Sequence, residues 1–237
     1  MSSNPTAART HPSQARPRAS LLLATLLLPL VGSGCGSWTA LTQKANPPAF
    51  QPANHFAQFE RLPAFVRRVA ILPIAVPAEN WYASDGRPQL EPVLKSELGK
   101  LNRFEMSVVT EQQLRSWTGR GQWGTHEDLP PDLFERLRKE TGCDAVLFSN
   151  LSPYRPYRPM VMGWNFRLID ARLRSVLWAA EEVFDSGQAD VSVAARRYYE
   201  KQSPDSKEVG DSERILLSPS RFSQYTLHAV LASMPQR

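Results

Sequence analysis

The stretch Arg68-Val69-Ala70-Ile71-Leu72-Pro73-Ile74 decides the fold. It is an unbroken apolar run with a cation at its head, the pattern of a strand buried on both faces. Pro73 has no N–H to give a ladder, so it is expected near the strand's end. A second run of the same kind follows Gly142 and extends from Cys143 to Leu151. Strands buried on both faces need helices on both sides, and the intervening sequence supplies them.

After a loop through Gly86, Leu90, Leu94, Leu98 and Leu101 with Val93 form a helical stripe. Pro92 is expected in the first turn of that helix, where its missing N–H costs nothing. Residues 104–109 read as a short strand. Thr110 with Gln113 three residues on has the spacing of a capping box. Residues 119–131 are a loop. Leu133, Phe134 and Leu137 line a helix that stops at Gly142, a residue suited to a left-handed cap.

Beyond residue 151, Met162, Trp164, Phe166 and Leu168 alternate with polar or small residues, as in a half-buried strand. Residues 176–184 are its hairpin partner across a turn at 171–175. Val191, Ala194, Ala195 and Tyr198 mark another helix. Leu227, Val230, Leu231 and Met234 mark a last one, with Pro219 near its start. The predicted order is β-α-β-α-β-β-β-α plus a C-terminal helix: one α/β domain with a mixed sheet covered by helices. The expected divisions are the folded domain at 67–200, a polar linker at 201–217 and the C-terminal helix at 218–237.

Upstream lies a different chemistry. Arg9, Arg16 and Arg18 precede an apolar run from Leu21 to Leu30, and small residues then lead to Cys35. A basic leader, a short apolar core and a small-residue cleavage zone describe an export signal over residues 1–34. The apolar run is too short to span a bilayer, which takes about 20 residues. The leader holds three of the 28 Lys+Arg and none of the 23 Asp+Glu, so its removal lowers the formal charge from +5 to +2. That near-neutral balance, with export, argues against nucleic acid as a partner. Residues 35–66 are rich in Pro, Gln, Asn and Ala and read as an extended tether. Phe50, Phe56, Phe59 and Phe65 in it are expected to touch the domain, because a wholly free linker is rarely this aromatic.

The segment Leu30-Val31-Gly32-Ser33-Gly34-Cys35 resembles the lipobox of bacterial lipoproteins, which implies acylation of Cys35. Gly36 in place of an aspartate then implies the outer membrane, with the domain facing the periplasm. Ordinary signal cleavage after Gly34 is the alternative. If Cys35 is acylated, Cys143 stands alone and reads as a small buried hydrophobe; otherwise a Cys35–Cys143 bridge stays open.

Three motifs together, Val69-Ala70-Ile71-Leu72-Pro73, Phe104-Glu105-Met106-Ser107-Val108-Val109 and Gly142-Cys143-Asp144-Ala145-Val146-Leu147, resemble a group of envelope lipoproteins. The group includes the lipoprotein activator of penicillin-binding proteins, the curli-secretion lipoprotein and the N-terminal domain of the Tol translocation protein. The resemblance covers roughly residues 68–185 and implies protein binding or assembly rather than catalysis. No amphipathic insertion hairpin of the pore-forming kind is evident.

The candidate partner-binding residues are Tyr154, Arg155, Tyr157 and Arg158 in the tandem Tyr-Arg-Pro triplets, with Trp123 in the glycine-rich loop. Prolines pre-set an extended backbone, and Tyr and Arg are enriched in binding hot spots. The alternative is a connector whose tyrosines pack on the sheet edge. The loop around Trp123 lacks the Gly-Lys-Ser/Thr ending of a phosphate loop. Glu181 and Glu182 fall on opposite faces of a strand and make no carboxylate pair. The histidines show no metal-ligand spacing. The expectation is a non-catalytic, lipid-anchored periplasmic binding or assembly factor without cofactor or metal. Its partners are the membrane, through Cys35, and an envelope protein or further copies of itself. The alternatives are a subunit of a homo-oligomeric secretion complex and a cell-wall or polysaccharide-modifying enzyme.

Overall fold

The computed structural model describes residues 49–203 and 211–237. Cys35, the export signal and the first part of the tether lie outside the described residues. Six strands form one sheet in the order β1-β6-β5-β4-β2-β3. Their spans are β1 His55–Ala57, β2 Arg68–Ile71, β3 Glu105–Val108, β4 Ala145–Arg155, β5 Val161–Asp170 and β6 Val176–Asp185. β2 pairs parallel with both β3 and β4, whereas β4, β5, β6 and β1 are antiparallel neighbours. The sheet is mixed, as the two βα units and the hairpin require.

The helices are α1 Trp81–Leu101, α2 Glu111–Thr118, α3 Leu133–Thr141, α4 Ala189–Gln202 and α5 Pro219–Leu231, with a 3-10 helix at Asp211–Leu217. One face of the sheet packs against α1, α4, α5 and the 3-10 helix. Its core includes Leu90, Leu94 and Leu98 of α1 with Trp164, Phe166, Trp178 and Phe184. The other face, over β2, β3 and β4, is covered by α2 and α3 through Leu114, Leu133, Phe134 and Leu137. Trp164, Phe166 and Trp178 stack at 5.8 and 6.0 Å between centroids. Each such side chain, fully buried, stabilises by about 2–3 kcal/mol. Their polar atoms are met from the C-terminal segment: Trp164 Nε1 donates to Thr226 Oγ1 at 2.9 Å and Trp178 Nε1 to Ser233 Oγ at 3.2 Å.

Local signals explain the helix ends. Thr110 and Gln113 form the expected reciprocal capping box, and Gly142 caps α3 at φ 66°. Pro219 occupies the first turn of α5 behind the Ser218 cap.

Three expectations are corrected. First, α1 begins at Trp81, so Pro88 and Pro92 lie inside it rather than in its first turn. Both are exposed and one turn apart, so the carbonyls they leave without an N–H, those of Ser84 and Pro88, face water. Second, the stretch read as tether is built into the domain from residue 49 onward. Leu62 and Val66 are buried, the Phe50 ring meets Phe184 at 5.1 Å, and residues 55–57 add an edge strand. Phe56, Phe59 and Phe65 stay largely exposed. Third, within the segment read as a polar linker, residues 211–217 form the 3-10 helix, and its Ile215 and Leu216 are buried.

Candidate functional site

β4 runs past Leu151 and shifts register before Tyr154 pairs with Met162 of β5. The irregularity is possible because its partner is glycine: a β-carbon on Gly163 would lie 2.3 Å from the Ser152 carbonyl oxygen. After the shift, Tyr154 points into the same core as Met162 and is 6% exposed. It is therefore no contact residue, and this expected site residue is corrected to a core position. Burial also pushes its phenol above the ordinary value.

The rest of the double triplet reaches the surface. Arg155 Nε donates to the Pro159 carbonyl at 2.6 Å and closes the loop. Tyr157 is 53% exposed. Its ring meets Tyr82 edge-on at 5.6 Å, and Tyr82 stacks on Trp81 at 3.6 Å. Hydrogen bonding between the two phenols pushes Tyr82 above its ordinary value. Trp81 is the most exposed aromatic of the three, at 59%. Arg158 lies beside this row, with Nη2 3.9 Å from Glu213 Oε2, and Glu213 Oε1 also takes Arg196 Nε at 2.5 Å. The structure thus gathers Arg155, Tyr157 and Arg158 and adds Trp81 and Tyr82, which sequence reading placed in a loop.

This aromatic and cationic patch sits at the end of the sheet that also carries Phe50. Phe50 N donates to the Asp190 carbonyl at 3.3 Å, and its ring rests on Phe184 near the end of β6. At that same end, Met160 N donates to Ser186 Oγ and Ser186 N to the Met160 carbonyl. Phe50 and the Tyr157 loop share one end of the sheet.

Trp123 lies elsewhere and is 6% exposed. Its Nε1 donates to Thr118 Oγ1 at 3.0 Å, and Arg120 lies over its ring at 4.2 Å. It pins the glycine-rich loop onto the second core, so its expected role in contact is also corrected. His126, from the same loop, reaches the open part of that sheet face. Arg167 Nη2 lies 2.9 Å from His126 Nδ1, and Asn165 Nδ2 lies 2.9 Å from His126 Nε2, so the ring is held from both nitrogens. These residues, with Phe56 and Glu181, border a shallow hollow of about 170 Å³.

Glu182 has a structural use. Its Oε1 accepts from Ala53 N at 2.6 Å and Asn54 N at 2.7 Å, which docks the chain leading into β1. Cys143 is buried, and burial raises its thiol above the ordinary value, an inert setting rather than a reactive one. Among the described residues, no three His, Cys, Asp or Glu side chains are grouped to hold a metal. No helix among them is long and apolar enough to cross a membrane.

No family model matches the chain, and no curated protein matches it. Solved structures similar to it include the PelC dodecamer from Paraburkholderia phytofirmans, at 16% identity and TM-score 0.43 over 77% of this chain and 96% of that one. Lipoprotein GNA1162 from Neisseria meningitidis is 15% identical, at TM-score 0.32 over 60% of this chain and 99% of that one. The LpoB C-terminal domain from Escherichia coli is 11% identical, at TM-score 0.26 over 50% of this chain and 82% of that one. Similarity of this degree carries no assignment of activity or partner.

Proposed function

We propose that this protein is a lipid-anchored, non-catalytic binding or assembly factor on the periplasmic side of the outer membrane. The observation that carries the reading is the gathering of Trp81, Tyr82, Tyr157, Arg155 and Arg158 at the end of the sheet where the tether enters. Exposed aromatic and arginine side chains are the groups that dominate binding energies at interfaces. Their position at the tethered end keeps them near whatever the membrane holds.

In this reading the acyl chains at Cys35 hold the protein at the bilayer. Several chains on one cysteine anchor far more durably than one. The residues between Cys35 and Phe50, about 15 in number, reach at most about 50 Å when extended. The patch then engages an envelope protein within that radius. Among the described residues the sheet ends on two short edge strands, β1 and β3, which favour self-association as a second reading.

The test is co-purification from detergent-extracted membranes. The parent protein is expected in the membrane fraction with a discrete partner or as a discrete homo-oligomer. A Trp81→Ala/Tyr157→Ala variant is expected to stay in membranes and lose a partner that binds at the patch. Cys35→Ala is expected to leave the membrane fraction after a high-salt wash. Partner retention by the double variant would contradict the patch, and full membrane retention by Cys35→Ala would contradict the anchor.

A further inference from the structure

A separate hollow lies between the end of α1, α4, the 3-10 helix and α5, with a volume of about 240 Å³. Its polar lining comprises Lys100, Gln202, Ser203, Arg221 and Gln224, with the rings of Tyr198 and Tyr199 and an apolar floor at Ile215. No carboxylate lines it among the described residues.

Each cation has a neighbour in the structure. Lys100 Nζ lies 2.5 Å from Oε1 of Glu97, whose side chain is 2% exposed on α1. Arg221 lies over the Tyr199 ring at 5.6 Å. A guanidinium within about 6 Å of a ring is drawn to its face and keeps its five N–H donors for other partners. An ammonium retains two further donors after one ion pair. The two carboxamides and the Ser203 hydroxyl both donate and accept.

This lining disfavours a cation and is too polar for an apolar ligand. It matches an oxyanion held by Lys100 and Arg221, with neighbouring hydroxyls met by Gln202, Ser203 and Gln224 and a ring face laid on a tyrosine. The volume is below the roughly 300 Å³ at which drug-sized sites begin, so a single ring-sized unit fits. We infer that this hollow binds a phosphate or carboxylate group carried on a small hydroxyl-bearing molecule, one unit of an acidic or phosphorylated saccharide in size and chemistry.

The experiment titrates the protein with glucose 6-phosphate, glucuronate, glucose and inorganic phosphate, following backbone amide shifts by NMR. Saturable binding of glucose 6-phosphate or glucuronate is expected, with shifts at Ser203, Arg221 and Gln224; which of the two binds names the oxyanion. Glucose is expected to bind at least tenfold more weakly, as roughly one charge-assisted hydrogen bond is lost. Arg221→Gln is expected to weaken binding about tenfold with an unchanged melting temperature. Lys100→Gln is expected to weaken it about tenfold with a lowered one, because the buried Glu97 carboxylate loses its partner. Arg120→Gln leaves binding unaltered. Absence of binding by both anions up to about 10 mM, well above a millimolar dissociation constant, would overturn the inference. So would undiminished binding by Arg221→Gln. Inorganic phosphate binding as tightly as glucose 6-phosphate would overturn the saccharide part.

Discussion

The Tyr154 ring lies across Gly86 of α1, so close that a β-carbon on Gly86 would stand 2.6 Å from Cε1 and 2.7 Å from the phenolic oxygen. Helix and strand meet there without a side chain between them. Because Tyr154 is 6% exposed within the core, the ring has little room to yield. Gly86→Ala is expected to destabilise the domain by about 1–3 kcal/mol, despite alanine's better helix propensity. Chemical denaturation of the two proteins measures it, and equal midpoints would show that Tyr154 is not clamped.

Two further glycines should behave oppositely. A β-carbon on Gly163 would strike the Ser152 carbonyl at 2.3 Å, a backbone atom that cannot rotate aside. Gly163→Ala is expected to cost about 3 kcal/mol or to prevent folding. Gly99, in α1, meets only the Met106 methyl at 3.6 Å. There alanine is expected to stabilise by about 0.5–1 kcal/mol. Thermal unfolding of both variants gives the comparison; the same sign for both would contradict this account.

The edge strand depends on one carboxylate. Glu182 Oε1 accepts from two successive amides, Ala53 N and Asn54 N. Glu182→Ala is expected to cost about 1.5–3 kcal/mol, the range for a hydrogen bond to a charged group. Amide hydrogen exchange should quicken over residues 53–57 and stay unchanged in β5. Unchanged exchange at Ala53 and Asn54 would remove Glu182 from this role.

Alkaline pH should unfold the protein earlier than its carboxylates and arginines alone would require. Burial, with the Glu97 charge adding to it, pushes the Tyr198 phenol from the ordinary value of 10.0 up to about 12. Burial raises Tyr225 further, with Asp190 adding to it. A folded-state value above the unfolded one means the unfolded state loses its proton first. The stability from these neutral phenols is fully present below pH 10 and falls as pH rises toward 12. Denaturation midpoints measured across that window should decline, and Tyr198→Phe should flatten the decline. A slope unchanged by Tyr198→Phe would contradict the assignment.

The strands and helix caps were legible because their signals are local. The run at Val69–Ile71, the Thr110 and Gln113 box and the Gly142 cap each act within a few residues. Tyr154 was misplaced for a specific reason: an extra residue in β4 flips the alternation, and only the glycine facing it permits that. Nothing in the Tyr-Arg-Pro triplets records this. The early start of α1 was hidden by two prolines whose cost vanishes on a solvent face. Asn80, whose side chain accepts from Ala83 N, was the available signal for it, and with it for Trp81 and Tyr82 as an exposed pair. Strand β1 has three residues and takes its register from β6, so no pattern of its own could announce it. Ile215 and Leu216 are too brief an apolar pair to show a period.

The most direct measurement is site-specific photo-crosslinking in cells, with the photoreactive residue placed at position 157 or at position 173. Tyr157 lies in the aromatic patch at the end of the sheet that carries Phe50, whereas Leu173 is 78% exposed in the β5–β6 turn at the other end. The account predicts a discrete crosslinked species, either an envelope protein or a second copy of this chain, from position 157 and little from position 173. Equal crosslinking from both positions, or crosslinking from position 173 alone, would contradict it.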